Sequence, residues 1–507
     1  MTEHTPAPGI VRPGDDAYRG LATRGLNERF TAEPEAFHVA TSTAQVVVAV
    51  RDAVRDGRRI AVRSGGHGYE NTAGDPEVRV VIDLGEMREI AWDAERGALA
   101  VEPGVRMADL YRTLYENWGV ALPAGDSATV GLGGHVAGGG FGSLCRSAGL
   151  AADHLLAVEV VVADADGEVR AVVATRDPED PHHDLWWAHT GGGGGSFGVV
   201  TRYWFRSPDA AGDDPRTALP VPPASVLTGT VLFNRAGLDR AALHTLAGNF
   251  GRWHEENSAA DSPYASLFSG LILNGRPRTD DPGMGAVVFA HVDATRPDAE
   301  LLLSDYLAAV TEGLGDFPVV LPTEAVPWLE AKKALAQAQD AETGRQKVKS
   351  SFLRRAWTAE QIDTLYDYLD STDHDHDSAL IALQSYGGRV NTVPAGATAS
   401  AQRDSVMQAF FMNTWQDPAQ DTAALAWIAR LFRDLYAKTG GVPVPGDADQ
   451  GCYVNFADTD MADPEWNTSG VPWEELYFLG NAGRLRTAKA AWDPRDVFRH
   501  ALSVRLP

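Results

Sequence analysis

A single histidine stands in a glycine loop directly after a short apolar run: Ile60-Ala61-Val62 leads into Arg63-Ser64-Gly65-Gly66-His67-Gly68. Glycines let backbone come close to a bulky anionic ligand, and successive backbone N–H groups form an anion-binding concavity. A histidine held there faces a ligand rather than a core, an arrangement that suits a cofactor and allows a covalent bond to it. Two more glycine clusters, Gly131 to Gly142 and Gly191 to Gly198, each border a predicted strand. One cluster alone reads as a tight turn. Three, one of them carrying a histidine, point to backbone wrapped around a large ligand that contains a pyrophosphate. Gly193-x-Gly195-x-x-Gly198 matches the dinucleotide fingerprint in letters, but that fingerprint needs a helix after it. Here Val199-Val200-Thr201-Arg202-Tyr203-Trp204-Phe205 follows and reads as a strand, which removes most of the support for a nicotinamide cofactor. No Walker A pattern occurs.

The elements that must position these loops are short. Ser42-Thr43-Ala44-Gln45 reads as a capping box, followed by Val46, Val47, Val50 and Val54 on one helical face and Gly57 as the stop. Strands are predicted over Ile60 to Val62, Val78 to Leu84 and Leu99 to Glu102, and a helix from Met107 through Trp118. Leu155 to Ala163 and Val169 to Ala174 read as a hairpin around the turn residues Asp164 to Gly167. The pattern predicts an α+β class, with residues 1–34 an arm of little periodicity and 35–208 a first domain. A proline-rich joint, Leu219 to Pro223, falls near the start of a second α+β domain over 209–445, whose late helix is Ala423 to Leu435. After a turn-rich joint, residues 446–507 carry dense aromatics and a basic run that return to the first domain.

Composition narrows the partners. The 507 residues exceed one hydrophobic core, so two or three domains are expected. A net charge of −25, from 44 basic and 69 acidic side chains, argues against nucleic acid and against an anionic membrane, and reads simply as solubility. The first residues have neither a basic region nor an apolar run, and no apolar stretch is long enough to span a bilayer. Cys145 and Cys452 make no disulfide framework and no CxxC pattern. A reduced, cytoplasmic protein is the expectation. Asp373-His374-Asp375-His376-Asp377 could suggest metal ligands, but without a further His or Cys pattern it reads as a solvated turn, and no metal is expected.

Together the motifs resemble the berberine-bridge-enzyme-like FAD-linked oxidases of the vanillyl-alcohol-oxidase superfamily. The carrying residues are Arg63 to His67, Thr129 to His135, Gly138 to Gly142, Asp184-Leu185-Trp186-Trp187 and Gly191 to Gly198. In the C-terminal part they are Tyr453-Val454-Asn455, Asn481, Arg484-Leu485, Lys489 and Asp493-Pro494. The resemblance covers nearly the whole chain and is weakest in the middle. It implies a two-part FAD-binding domain of the PCMH type completed by the C-terminal segment, with an inserted substrate domain built as an antiparallel sheet covered by helices. It implies a covalent bond from His67 to the flavin's methyl carbon. It also implies flavin contacts from Arg63, Ser64, Gly65, Gly66, Gly68, Ser127, Val130, Gly131, Gly134, His135, Gly138, Gly142, Gly195, Gly198, Val200, Tyr453, Asn455 and Asn481. Tyr453 is the first choice for catalytic base, with Tyr386 and Tyr477 helping it or holding the substrate. Arg484 and Lys489 read as packing the last helix onto the FAD domain.

The chain departs from the family at one reactive position. Many relatives attach FAD a second time through a cysteine in Gly-x-Cys-x-x-Val-Gly. The matching stretch here, Gly125-Asp126-Ser127-Ala128-Thr129-Val130-Gly131, has Ser127 in that place. A hydroxyl is a far poorer nucleophile than a thiolate, so the expectation is FAD attached through His67 only, with Cys145 a packed side chain. Valine at position 130 resembles the oxygen-reactive members. The function expected is an FAD-dependent oxidase of a secondary-metabolite intermediate. It would act on an alcohol, sugar hemiacetal or amine-bearing carbon, deliver hydride to flavin N5 and reduce molecular oxygen to hydrogen peroxide. The alternative is a monooxygenase or Baeyer–Villiger enzyme on the same fold. Oligomeric state stays open.

Overall fold

The valines that predicted one helical face do form it. In the helix Thr43–Arg55, Val46 and Val50 are buried, and Val47 and Val54 pack at the edge of the same cluster. Ser42 accepts a hydrogen bond from the Gln45 N–H (3.4 Å), while the Gln45 amide oxygen reaches past it to the Thr41 N–H (2.7 Å), so the capping box is shifted by one residue. Gly57 follows in the left-handed region at φ 63° and stops the helix. This computed structural model describes residues 9–277, 283–339, 344–372 and 378–507; the run Asp373 to Asp377 lies outside the described residues.

The helix is sandwiched between two small sheets. One has four strands in the order Gly9–Val11, Ala36–Val39, Val80–Asp83, Ile60–Arg63, the last three parallel. The other has five antiparallel strands in the order Ile90–Asp93, Ala98–Val101, Val199–Phe205, Leu155–Ala163, Val169–Thr175. Val46, Val50, Ile60, Ile82, Val161 and Val199 meet in the core between them. The strand Val199–Phe205 follows Gly198 directly, which removes the dinucleotide-fold reading of that glycine cluster. Residues 9–34 are more ordered than an arm. Gly9–Val11 pairs antiparallel with Ala36–Val39, and after the short helix Tyr18–Ala22 the chain runs along the His67 loop. A three-residue strand and a five-residue helix are too short to leave a periodic signal.

The third sheet is antiparallel and has eight strands. Its path runs Val319–Val320, Ser225–Asn234, Met284–Asp293, Phe268–Asn274, Ser378–Ser385, Met407–Trp415, Arg345–Leu353, with Glu324–Pro327 also paired to Ser225–Asn234. The helices Arg240–Asn257, Ala299–Thr311, Ala359–Asp370 and Asp421–Leu435 bury their apolar sides in its core. Residues of its other face line the large cavity described below. No helix among the described residues is long and apolar enough to cross a membrane.

The chain then returns to the first two sheets, and a buried cation fastens it there. Lys489, on the helix Ala482–Trp492, donates to the carbonyls of Ser196 (2.8 Å) and Phe498 (2.7 Å) and to Asp493 Oδ2 (2.6 Å). Both side chains of the Lys489–Asp493 pair are 0% exposed. Removing one partner of such a pair strands the other charge in the interior. Lys489→Met is therefore expected to destabilise the protein by about 3–5 kcal/mol, while Lys489→Met combined with Asp493→Leu recovers most of that loss, read from denaturant midpoints of the two variants.

Candidate active site

The glycine loops and the open face of the third sheet enclose a cavity of about 890 Å³, toward the top of the roughly 300–1,000 Å³ usual for ligand sites. Its first wall is set by Asp83, which is fully buried. Asp83 accepts from Arg63 Nε (2.8 Å), Arg24 Nη1 (2.9 Å) and the Gly85 N–H (2.9 Å). Arg63 also donates to the carbonyls of Leu21 and Arg24, so its guanidinium is spent on holding the loop rather than offered to a ligand. Burial lowers the Arg63 pKa and the Asp83 carboxylate works against that.

From this anchor the loop turns at Gly66 (φ 81°) and presents His67, half-buried, with Nε2 2.9 Å from Thr129 Oγ1. Thr129 lies two residues before the second glycine cluster, and the two clusters touch backbone to backbone. A β-carbon on Gly65 would sit 2.3 Å from the Gly131 nitrogen, and one on Gly131 would sit 2.2 Å from Ser64 Oγ. Gly142 is constrained the same way, 2.0 Å from the Ala124 carbonyl oxygen. Ser64, Gly65, Gly66, Gly68, Ser127, Val130, Gly131, Gly134, His135, Gly142, Gly195, Gly198 and Val200 all line the cavity. His135 is a strut: its Nε2 accepts from the Gly125 N–H (2.8 Å), and burial drives its pKa down to about 4, so the ring is neutral. Gly138 does not line the cavity. A β-carbon there would lie 2.1 Å from Asn455 Oδ1, so Gly138 makes room for Asn455.

The three tyrosines differ in what their hydroxyls do. Tyr453 lines the cavity, its ring boxed by Phe141 (5.4 Å between centroids), Phe352 (5.7 Å) and Phe456 (5.1 Å). Its oxygen accepts from Asn455 Nδ2 (2.8 Å) and the Gly140 N–H (3.2 Å), and neither bond uses the phenolic proton. Burial pushes its pKa up to about 12, against the pull of those two donors. Tyr386 stands behind Phe141, outside the main cavity, and donates to the Gln402 carbonyl (3.1 Å). Tyr477 touches the cavity, but its hydroxyl accepts from the Asp458 N–H (3.0 Å) and donates to the Asp458 carbonyl (3.4 Å). Asn481 lies away from the cavity and ties down a loop through the carbonyls of Ala395 (2.8 Å), Thr398 (3.1 Å) and Ala399 (3.3 Å). Asn455, which donates also to the His135 carbonyl (2.9 Å), couples Tyr453 to the second glycine cluster.

Several supports had no sequence signal. Lys347, on the strand Arg345–Leu353, pairs with Glu70, three residues beyond His67, and with Asp458 Oδ1 (2.7 Å). Lys349 pairs with Asp458 (2.6 Å) and Asp460 (2.5 Å). Burial opposes the charge on Asp458, yet the two lysines together hold its pKa down at about 2. Alternating charges on a strand read as a solvated face, whereas here they point into the joint between all three parts of the fold. A second buried pair, Lys332 with Asp126, links the helix Trp328–Gln339 to the loop carrying Ser127, and Lys332 lies 4.0 Å over the Tyr111 ring. Cys145 is fully buried beside the Ser385 carbonyl, and burial pushes its thiol up to about 12.

A glycine-walled cavity with a histidine loop is roofed by a helix-backed antiparallel sheet, and the relatives of this chain identify it as that of an FAD-binding oxidoreductase. An FAD binding domain description matches residues 34–172, and a berberine and berberine-like description matches residues 452–505. The chain is 49% identical over 500 residues to the aclacinomycin-N/aclacinomycin-A oxidase of Streptomyces galilaeus, spanning 97% of this chain and 89% of that protein. It also resembles the solved structures of a glycopeptide hexose oxidase complexed with teicoplanin (TM-score 0.93, 44% identity, 99% of each chain). A third is GilR, the oxidoreductase of the terminal step of gilvocarcin biosynthesis (TM-score 0.93, 37% identity, 98% and 100% of the two chains). The chain belongs to the berberine-bridge-enzyme-like FAD-linked oxidases. It is an FAD-dependent oxidoreductase, and these relatives favour the oxidase reading over a monooxygenase.

The paired glycines give a direct check on the cofactor cradle. Gly131→Ala forces the two clusters apart, an overpacking that costs about 1–3 kcal/mol, and is expected to yield folded protein depleted of flavin. The flavin-to-protein absorbance ratio after purification measures this.

Proposed function

We propose that this protein oxidises an alcohol or sugar-hemiacetal carbon of a secondary metabolite, with Tyr453 as base and His67 as the sole covalent anchor of the flavin. The observation that carries the reading is the state of Tyr453. Of the three tyrosines expected near the chemistry, it alone lines the cavity with a proton not committed to a backbone carbonyl. FAD, when bound, would supply the hydride-accepting and oxygen-reducing chemistry. The chain's part is to take the accompanying proton. The N–H donors of Gly140 and Asn455 favour the phenolate that Tyr453 must reach, while its aromatic box keeps water away. Thr129 orients the His67 ring, and Ser127 in the position of the family's second attachment lacks the nucleophilicity to add another bond. Relatives that act on aclacinomycins and on a glycopeptide hexose support a glycosylated natural product as the substrate class.

The oxidase reading is tested by oxygen balance: one peroxide formed per oxygen consumed and no labelled oxygen in the product, where incorporation would establish monooxygenation. His67→Ala should carry no flavin that survives acid precipitation, and flavin on a peptide containing Cys145 or Ser127 in the wild type would overturn the single link. Tyr453→Phe should keep its covalent flavin and lose about 10²–10⁴-fold in turnover. Because the phenol is protonated at neutral pH, wild-type kcat/KM should climb as pH rises toward the Tyr453 pKa. That climb should be absent in the variant.

A further inference from the structure

The open face of the third sheet carries an aromatic platform flanked by two unspent polar side chains. Phe289 pairs with Gly270 across the sheet, and a β-carbon on Gly270 would lie 2.4 Å from Phe289 Cε1. The missing side chain lets the phenyl ring lie over the neighbouring strand. On the far side of Gly270 the next residue in register is Gln384, and two residues along from Phe289 on its own strand is His291, opposite Thr228. Phe289, His291 and Gln384 all line the cavity. Among the described residues, neither the His291 ring nor the Gln384 amide makes a hydrogen bond, whereas Thr228 already donates to the Glu324 carbonyl (3.2 Å). Burial holds the His291 pKa at about 4, so at neutral pH the ring offers one N–H donor and one acceptor. Both side chains are half-buried on the cavity wall, so their polar atoms are open to a ligand that enters it.

We propose that His291 and Gln384 are the specificity-determining pair of the substrate site, reading hydroxyl or carbonyl groups on the edges of a planar aromatic ring stacked on Phe289. The surrounding wall is mostly apolar, from Ile272, Val287, Leu335, Leu380 and Met412, with Thr230 opposite Phe289 the polar exception. A bare sugar would leave that wall against water, whereas a flat ring system covers it. An anionic ring is disfavoured because the nearby Lys332 is spent on Asp126. This assignment rests on the reading above only in taking the sheet side of the cavity, across from the glycine loops that would cradle the flavin, as the substrate site, so its test measures binding without turnover.

The probes are a naphthalenediol, its dimethyl ether and the corresponding dicarboxylate, titrated calorimetrically into the flavin-loaded enzyme. The wild type should bind the diol about tenfold more tightly than the ether, the loss expected for one or two hydrogen bonds, and the dicarboxylate most weakly. His291→Leu and Gln384→Leu should each shrink that preference, and the double variant should abolish it. Their affinity for the ether, their flavin content and their melting temperature should stay at wild-type values. A diol preference that survives in the double variant, or no binding of either neutral probe to the wild type, overturns the assignment. Tyr453→Phe should keep the diol preference while losing turnover, so failure of the base assignment shows itself separately.

Discussion

Gly65 and Gly131 meet with their backbones closer than any β-carbon permits, and the site is built outward from that contact. Because the two clusters touch, Thr129 reaches His67, and Ser127 and Val130 arrive on the same wall. The contact also explains why the loops need so many glycines. The first loop is pinned from behind by Arg63 and Arg24 on Asp83, and the second by His135 on the Gly125 N–H. Each anchor uses a fully or largely buried polar side chain, so the backbone between anchors can stay thin. A thin wall is what a large cofactor requires if it is to lie against main-chain N–H groups rather than against side chains.

The roof is held over that wall by charge rather than by apolar packing alone. Lys347 and Lys349 come from the third sheet, Glu70 from the loop after His67, and Asp458 and Asp460 from the C-terminal segment. Buried networks of this kind add little net stability over apolar packing, but a single broken pair is costly. Their effect is to fix one relative position of three chain segments far apart in sequence. Lys332 with Asp126 does the same on the opposite side, tying the helix Trp328–Gln339 to the loop of Ser127. Between the two joints the sheet face stays open to the cavity and is mostly apolar, interrupted by His291, Gln384 and two threonines.

How much of this was legible in the sequence depends on the reach of each signal. The His67 loop, the glycine clusters, the valine face of the helix Thr43–Arg55 and the strand after Gly198 are local patterns, and they appear where they were read. Roles that depend on distant partners were less visible. Arg63, Gly138, Tyr386 and Asn481 all stand in family-like motifs, yet their side chains or missing side chains serve neighbours: Asp83, Asn455, Gln402 and the loop 395–399. Lys347 and Asp458 are separated by more than a hundred residues and carry no spacing that a reader could detect. Residues 9–34 were hidden for a different reason, since a three-residue strand and a five-residue helix span less than two periods of their patterns and so repeat nothing.

The place of Ser127 changes how the ring must be confined. In a relative with a second covalent bond, chemistry itself fixes the loop against the flavin. Here the loop is fixed by Asp126, which accepts from the Ser143 N–H (3.1 Å) and Ser143 Oγ (2.8 Å) as well as pairing with Lys332. A loop held from its own side does not need the cofactor in order to be placed. The cavity wall is therefore preorganised by the chain's own contacts, and in the function proposed above His67 has only to attach the flavin, not to shape the site. Preorganisation of this kind also keeps Tyr453, reached through Asn455 and the His135 carbonyl, at a constant distance from the second glycine cluster. Tyr453, the proposed base, and the second glycine cluster are thus set by one continuous chain of hydrogen bonds, independent of how many bonds would hold the flavin.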